Sequence, residues 1–286
     1  MTTKGMFSAV AISLFLGFQE WAIAQYDFTT IDVPTSVATS VNGNSTHELA
    51  GEYDDAGGVT HGFVLSSEDF ATVDVPGAIS TAVNGISANG RLTGTYIDSS
   101  RSHAFLLSKG VLTTLDPPGS IQSQGGFLNA QGTVVGGYRD VNGKRHAFLW
   151  SKGVFTTIDP PNGNATLGPV AFGINDPGEV VGTFVDANGN RHGFIRNKKG
   201  LYAMIDVPGA LFTVAEGINN SGDIVGLYLG IDFTLHGFVL SKAGYATVDV
   251  PGSSGTQINS INAQGEIAGV YQDADGNNHG FVGVPN

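Results

Sequence analysis

The chain has 286 residues, of which only 13% are charged, a formal net charge of -12, and no cysteine. The missing thiols exclude disulfides, cysteine nucleophiles and a lipidated N-terminal cysteine. The acidic, sparsely basic composition argues against nucleic acid, whose phosphates need clustered Lys and Arg.

Residues 1–24 read as a secretory signal. Lys4 supplies the positive n-region, residues 6–18 the apolar h-region, and Ala22-Ile23-Ala24 the small-residue cleavage site. The apolar run is too short for a stable bilayer span, although an uncleaved anchor is the alternative reading. The expectation is a secreted, extracellular or periplasmic chain starting at Gln25, with residues 25–286 forming one domain. That mature chain should have no membrane span and should be monomeric.

From Tyr26 onward the sequence repeats. An aromatic-Thr-Thr-Ile-Asp-Val-Pro string recurs with its aspartates at Asp32, Asp74, Asp116, Asp159, Asp206 and Asp249. A His-Gly/Ala-Phe string recurs at His61, His103, His146, His192, His236 and His279. Successive anchors lie 42 to 47 residues apart. Between them runs aliphatic-Asn-x-x-Gly-x-aliphatic-x-Gly-x-aromatic, as in residues 174–184 (INDPGEVVGTF).

Each unit offers four short segments rich in Thr, Val, Ile and Phe, punctuated by Gly, Pro, Asn and Asp. This is the pattern of strands and turns, and no segment sustains a helical apolar period. Asn175-Asp176-Pro177-Gly178 and its counterparts should turn the second strand into the third. The Asn-Gly or Asp-Gly pairs at Asn142, Asn188 and Asp275 predict type I′ hairpins between the third and fourth. The result is an antiparallel four-stranded meander.

Strand positions are apolar or small on both faces, so each sheet should be covered on both sides by its neighbours. The recurring third-strand glycine (Gly51, Gly94, Gly136, Gly182, Gly226, Gly269) leaves a gap. The expectation is that an aromatic of the next sheet fills it, with Tyr53 and its counterparts as candidates. Six such sheets satisfy an all-β, six-bladed β-propeller of four-stranded antiparallel blades, with an open β-solenoid as the rival. The lone first segment from Tyr26 should complete the last blade as its outermost strand and seal the ring. Basic residues of the mature chain all lie between Arg91 and Lys242, so closure should leave one sector strongly negative.

His103-Ala104-Phe105, His146-Ala147-Phe148, the His-Gly-Phe variants and the Asn-x-x-Gly strings resemble the HAF-repeat family of bacterial extracellular proteins. The resemblance covers essentially the whole mature chain. It implies export and a repeat fold, and it implies no activity.

The six histidines, one per unit, are spread around a ring and cannot converge on one substrate. Each is expected to bond to backbone or a nearby aspartate. The Asp hairpins lack EF-hand spacing and a downstream bidentate Glu, so no metal is expected from them and no cofactor is implied. His47 stands where other units have the turn glycine.

Departures from the repeat carry more information. Glu216 lies on the predicted innermost strand, at the position of Val41, Asn84, Gly126, Phe172 and Asn259, and is the leading ligand-binding candidate. Lys144, Arg145 and Arg191 lie on hairpins of one face and could form a basic rim for an anionic ligand. No Ser-His-acid or paired-carboxylate arrangement can be assembled from spacing. The leading expectation is a non-enzymatic binding module for a glycan or another exported protein. The alternatives are a propeller lyase or hydrolase using Glu216, and a structural envelope protein.

Overall fold

The computed structural model describes residues 25–67, 69–161, 163–164 and 167–286; the signal-peptide reading lies outside them. Six separate four-stranded antiparallel sheets form a closed six-bladed β-propeller, and no helix long and apolar enough to cross a membrane occurs among the described residues. From the axis outward each blade has an inner strand, a glycine strand, a histidine strand and an outer strand. In blade 1 these are Ala38–Asn44, Glu48–Asp54, Thr60–Ser66 and Asp69–Val73. The inner strands of blades 2 to 6 are Ser80–Ile86, Ser120–Leu128, Val170–Ile174, Phe212–Ile218 and Gly255–Ile261.

Blade 6 is assembled from both ends of the chain. Tyr26–Ile31 pairs with Asn278–Pro285 from Tyr26↔Pro285 to Ile31↔Gly280, so the first strand serves as the outer strand of the last blade. The closure expected from sequence is therefore the one observed. Phe28 packs edge-on against Phe281 at 5.6 Å, and Tyr26 and Phe28 cover a core shared by blades 5 and 6.

The recurring glycine accommodates a phenylalanine, but not from the neighbouring sheet. Gly51 stands opposite Phe63 in the same blade, and a Cβ on Gly51 would lie 2.9 Å from the Phe63 ring. The same pair recurs as Gly94–Phe105, Gly136–Phe148, Gly182–Phe194, Gly226–Phe238 and Gly269–Phe281. All six phenylalanines are fully buried. The tyrosines instead stay within their own blade, where Tyr53, Tyr96, Tyr138, Tyr228 and Tyr271 stack on the histidine of the adjacent strand, with centroids 4.9 to 5.3 Å apart. Each tyrosine hydroxyl bonds a threonine of the outer strand, as Tyr53 does with Thr72 at 3.1 Å. A side chain with a polar tip is better placed at the wet end of a blade than in a dry gap between sheets.

The Asp hairpins also differ from the type I′ expectation. In residues 140–144 only Gly143 has positive φ, Gly143 N–H donates to Asp140 C=O, and Asp140 N–H donates to Lys144 C=O. The loop is thus a type I turn followed by a left-handed glycine, and the Asp140 carboxylate caps it by accepting from Asn142 and Lys144 N–H. His47 is not a replaced turn glycine, because the blade 1 hairpin closes from Ser45 N–H to Glu48 C=O and is one residue shorter.

Candidate functional site

The two faces of the ring carry different chemistry. One bears the Asn-x-x-Gly hairpins. The other bears the Asp hairpins, the Asp-Val-Pro turns and all six repeat histidines. There each histidine Nδ1 lies 2.6 to 2.9 Å from the aspartate of the Asp-Val-Pro string, as in His146–Asp159 and His279–Asp32. Its Nε2 faces a second, hairpin aspartate at 3.2 to 3.6 Å. At His61, His236 and His279 the carboxylates on both ring nitrogens favour the imidazolium, which has two N–H donors. Bonds to Asp74 and Asp32 raise His61 and His279 above their ordinary value. For His236, burial opposes the charge but Asp249 and Asp232 outweigh it. These clamps are structural, and they place twelve aspartates on one face.

The functional departures sit at the axis. Each inner strand has a β-bulge that adds a residue between two paired positions, and the added residue turns toward the axis. In blades 1, 2 and 6 it is Asn42, Asn84 and Asn259. Each donates its side-chain amide to the next blade's backbone: Asn42 to Val83 C=O at 3.1 Å, Asn84 to Gly125 C=O at 2.7 Å, Asn259 to Val41 C=O at 3.0 Å. In blades 3, 4 and 5 the bulge holds Gly126 with Phe127, then Phe172, then Glu216. The blade 1 counterpart of Glu216 is therefore Asn42 rather than Val41, because the blade 1 hairpin between the inner and glycine strands is one residue shorter than in the other blades.

This exchange opens a cavity of about 210 Å³ lined by Asn42, Asn84, Gln124, Asn259, Phe127, Phe172, Glu52 and Glu216. A second cavity of about 280 Å³ shares Asn42, Glu52, Gln257 and Asn259 with it and continues to Tyr53, Asp54 and Asn278. Together they make one funnel from the histidine face, between blades 6 and 1, to the axis. Burial pushes the Glu216 carboxyl up to about 8, partly offset by Arg191. Burial also raises Glu52, with Asp54 adding to the shift.

Of the four ligand-binding candidates, Glu216, Lys144, Arg145 and Arg191, only Glu216 lines the funnel. Arg191 lies near it with its guanidinium 5.6 Å from the centre of the Phe212 ring. Arg145 instead lines a separate 40 Å³ rim pocket between blades 2, 3 and 4, with Gln122, Tyr138, Arg139 and Pro169. Lys144 is exposed on its hairpin. The three basic residues and Glu216 thus do not share one cavity. Glu52, Phe127 and the carboxamide ring escaped sequence reasoning. The recurrence of Asn at bulge positions was the signal that could have found them.

Among the described residues no group of three or more His, Asp or Glu side chains is arranged to hold a metal ion. Neither a protein-family model nor a curated protein matches this sequence. Solved structures do match. The chain is similar to AofleA from Arthrobotrys oligospora, with a TM-score of 0.53 and 13% identity over 92% of this chain and 88% of that one. It is similar to the SapL1 lectin in complex with alpha methyl fucoside, at TM-score 0.55 and 12% identity over 84% and 90%. TolB from Acinetobacter baumannii aligns at TM-score 0.59 and 11% identity over 85% of this chain and 65% of that one. At such identities the likeness is one of fold, a six-bladed propeller.

Proposed function

We propose that this chain is an exported, non-enzymatic binding module that takes a glycan in its axial funnel. The observation that carries the reading is the funnel's lining: carboxamides of Asn42, Asn84, Gln124, Gln257 and Asn259 around the faces of Phe127 and Phe172. Asn42, Asn84 and Asn259 already donate to the neighbouring blade, so sugar hydroxyls meet the Gln124 amide and the carboxamide oxygens of Asn84 and Gln257, and an aromatic ring packs well on the C–H face of a pyranose. The lectin among the similar folds supports the reading, and the Ala22-Ile23-Ala24 site and the HAF-repeat resemblance support export. The experiment is a calorimetric titration with a panel of mono- and disaccharides, using Phe172→Asn as the control. That variant installs the residue of blades 1, 2 and 6, so the fold should hold while affinity drops by about ten-fold or more. Binding that is indifferent to Phe172→Asn would place the ligand elsewhere.

One observation favours a second reading, glycoside cleavage. Glu216, raised to about 8, keeps a proton at neutral pH as a general acid must, and Glu52 lines the same cavity. A reducing-sugar assay on polysaccharides settles it: release that disappears in Glu216→Gln supports cleavage, and no release from any substrate removes it.

A further inference from the structure

We infer that the axial funnel selects a sugar bearing a free ammonium group, an amino sugar, over neutral and anionic sugars. The inference rests on the glycan reading of the same cavity and specifies its ligand.

The first observation is a contrast among the glutamates. Glu48 accepts from Ser66, Glu179 from Asn175 and Glu266 from Asn262, at 2.6 to 2.9 Å. Of the five described glutamates only Glu52 and Glu216 have carboxyls without a hydrogen-bond partner, and both line the funnel. Both side chains are half-buried and open to the cavity, so a donor placed there can reach carboxyls that no protein group holds.

The second observation is the sign of the lining. No Lys, Arg or His lines either part of the funnel. Arg191 is the charged group whose field reaches Glu216, but it makes no ion pair with it, and Asp54 makes Glu52 harder to ionise. An anionic sugar would meet two carboxyls and no cation. A neutral sugar would satisfy the carboxamides and leave both carboxyls short of a charged donor. An ammonium supplies three N–H donors and the compensating charge, and Gln124 with the carboxamide oxygens of Asn84 and Gln257 remains for its hydroxyls. Asp54, which lines the mouth of the funnel, adds to the negative field a cation would meet.

The test titrates the purified protein at pH 7 with glucosamine, N-acetylglucosamine, glucose and glucuronate, and separately with calcium chloride. Glucosamine should bind about ten-fold or more tighter than N-acetylglucosamine, and glucuronate should not bind. Glu216→Gln and Glu52→Gln, each checked for an unchanged melting transition, should each shrink that preference to about two- to three-fold. Because Glu216 holds a proton before the ammonium arrives, the glucosamine heat should vary with the buffer's ionisation enthalpy and the glucose heat should not. Neutral sugars binding as tightly as glucosamine would overturn the amino-sugar inference and leave the glycan reading standing. No binding by any sugar would overturn both. A saturable calcium signal lost in the glutamine variants, with none from glucosamine, would make the carboxyls a metal site and overturn the inference.

Discussion

The six blade interfaces are stitched in two different ways. Between blades 6 and 1, 1 and 2, and 2 and 3, the stitch is a bulge asparagine at the axis: Asn259, Asn42 and Asn84. Between blades 3 and 4, 4 and 5, and 5 and 6, it moves to the hairpin face, where the turn-opening asparagine donates to the next turn. Asn129 bonds Asn175 C=O, Asn175 bonds Asn219 C=O, and Asn219 bonds Asn262 C=O, at 3.1 to 3.3 Å. Blades 1 and 2 open that turn with Ser45 and Ser87 and lack this bond to the next blade's turn. The interface of blades 6 and 1 carries both kinds, since the Asn44 side-chain amide also donates to Glu266 C=O at 2.8 Å on the hairpin face. From blade 3 to blade 6 the far-face stitch replaces the axial one, and Gly126, Phe172 and Glu216 occupy the axial position. A repeat protein can thus free half of its axis for a ligand without opening its interfaces.

The closure seam belongs to the axially stitched half and should show the largest effect. Deleting residues 25–34 removes the outer strand of blade 6, the Phe28–Phe281 contact and the Asp32 partner of His279. It exposes an unpaired edge and should cost several kcal/mol, on the order of 3–5, read as a lower denaturant midpoint. An unchanged midpoint would show that the seam is held by Asn259 and the blade cores without the first strand.

The stitches themselves come next. Asn259→Ala leaves Val41 C=O without its amide donor, and Asn219→Ala removes the turn bonds to Ser221 and Asp223 as well as the bond to Asn262. Each should cost about 1–3 kcal/mol in chemical denaturation. Glu216→Asn restores the axial residue to a blade already stitched on the far face, so it should be neutral or stabilising at pH 7. A loss comparable to Asn259→Ala would break the comparison, because it would make Glu216 itself part of the stitch.

Much of this architecture was legible in the chain and its energetics were not. The repeat anchors, the strand order and the terminal closure follow from local pattern, since each depends on turn chemistry and spacing within one unit. The errors concern what one residue meets across space. Tyr53 and Phe63 are both aromatic and flank Gly51, and only strand register puts the phenylalanine in the gap and the tyrosine on His61. The blade 1 hairpin is one residue short, so counting back from Gly51 lands on Val41 where the bulge residue is Asn42. Glu52 looked like an ordinary strand residue because its burial arises from the convergence of six blades.

pH should separate the two halves with a smaller effect. The folded Glu216 holds its proton up to about 8, well above an unfolded glutamate. The native state therefore binds the extra proton between about pH 4.5 and 8, and stability falls as pH rises through that window. Glu216→Asn lacks this slope, so its advantage over the wild type should grow by about 1–2 kcal/mol between pH 5 and 8, discounted for the water the cavity admits. The raised histidines His61, His236 and His279 act in the same direction, since their contribution is complete below their unfolded value and lost as pH rises through the folded one. That component should persist in Glu216→Asn. Asp98, bonded first by the Ser100 hydroxyl, and Asp273, bonded first by the Asn277 amide, lie well below the ordinary carboxylate range. Their contribution is present above that range and lost only as pH falls through it. Equal pH slopes in Glu216→Asn and wild type would mean that Glu216 is ionised at neutral pH.

Blade 5, in the released half, departs from the repeat once more, and the expected effect is the smallest. Its histidine-face hairpin carries Phe233 at a φ of 63°, where the corresponding loops of blades 1, 3, 4 and 6 have Gly58, Gly143, Gly189 and Gly276. A bulky residue in the left-handed region is strained by about 1–2 kcal/mol. Its ring is 79% exposed, beside Ile231 at 78%, so little burial offsets that strain. Phe233→Gly should therefore stabilise the protein by about 1 kcal/mol, even though glycine gains freedom in the unfolded chain. Asp232, 3.4 Å from His236 Nε2 in this hairpin, should keep that contact, so the pH slope from His236 should not change. Thermal melts of Phe233→Gly and wild type at pH 6 and pH 8 check both points. A lower transition would mean that the ring stabilises blade 5 through contacts its exposure does not reveal, and that this hairpin's departure from glycine compensates for the missing axial stitch rather than accompanying it.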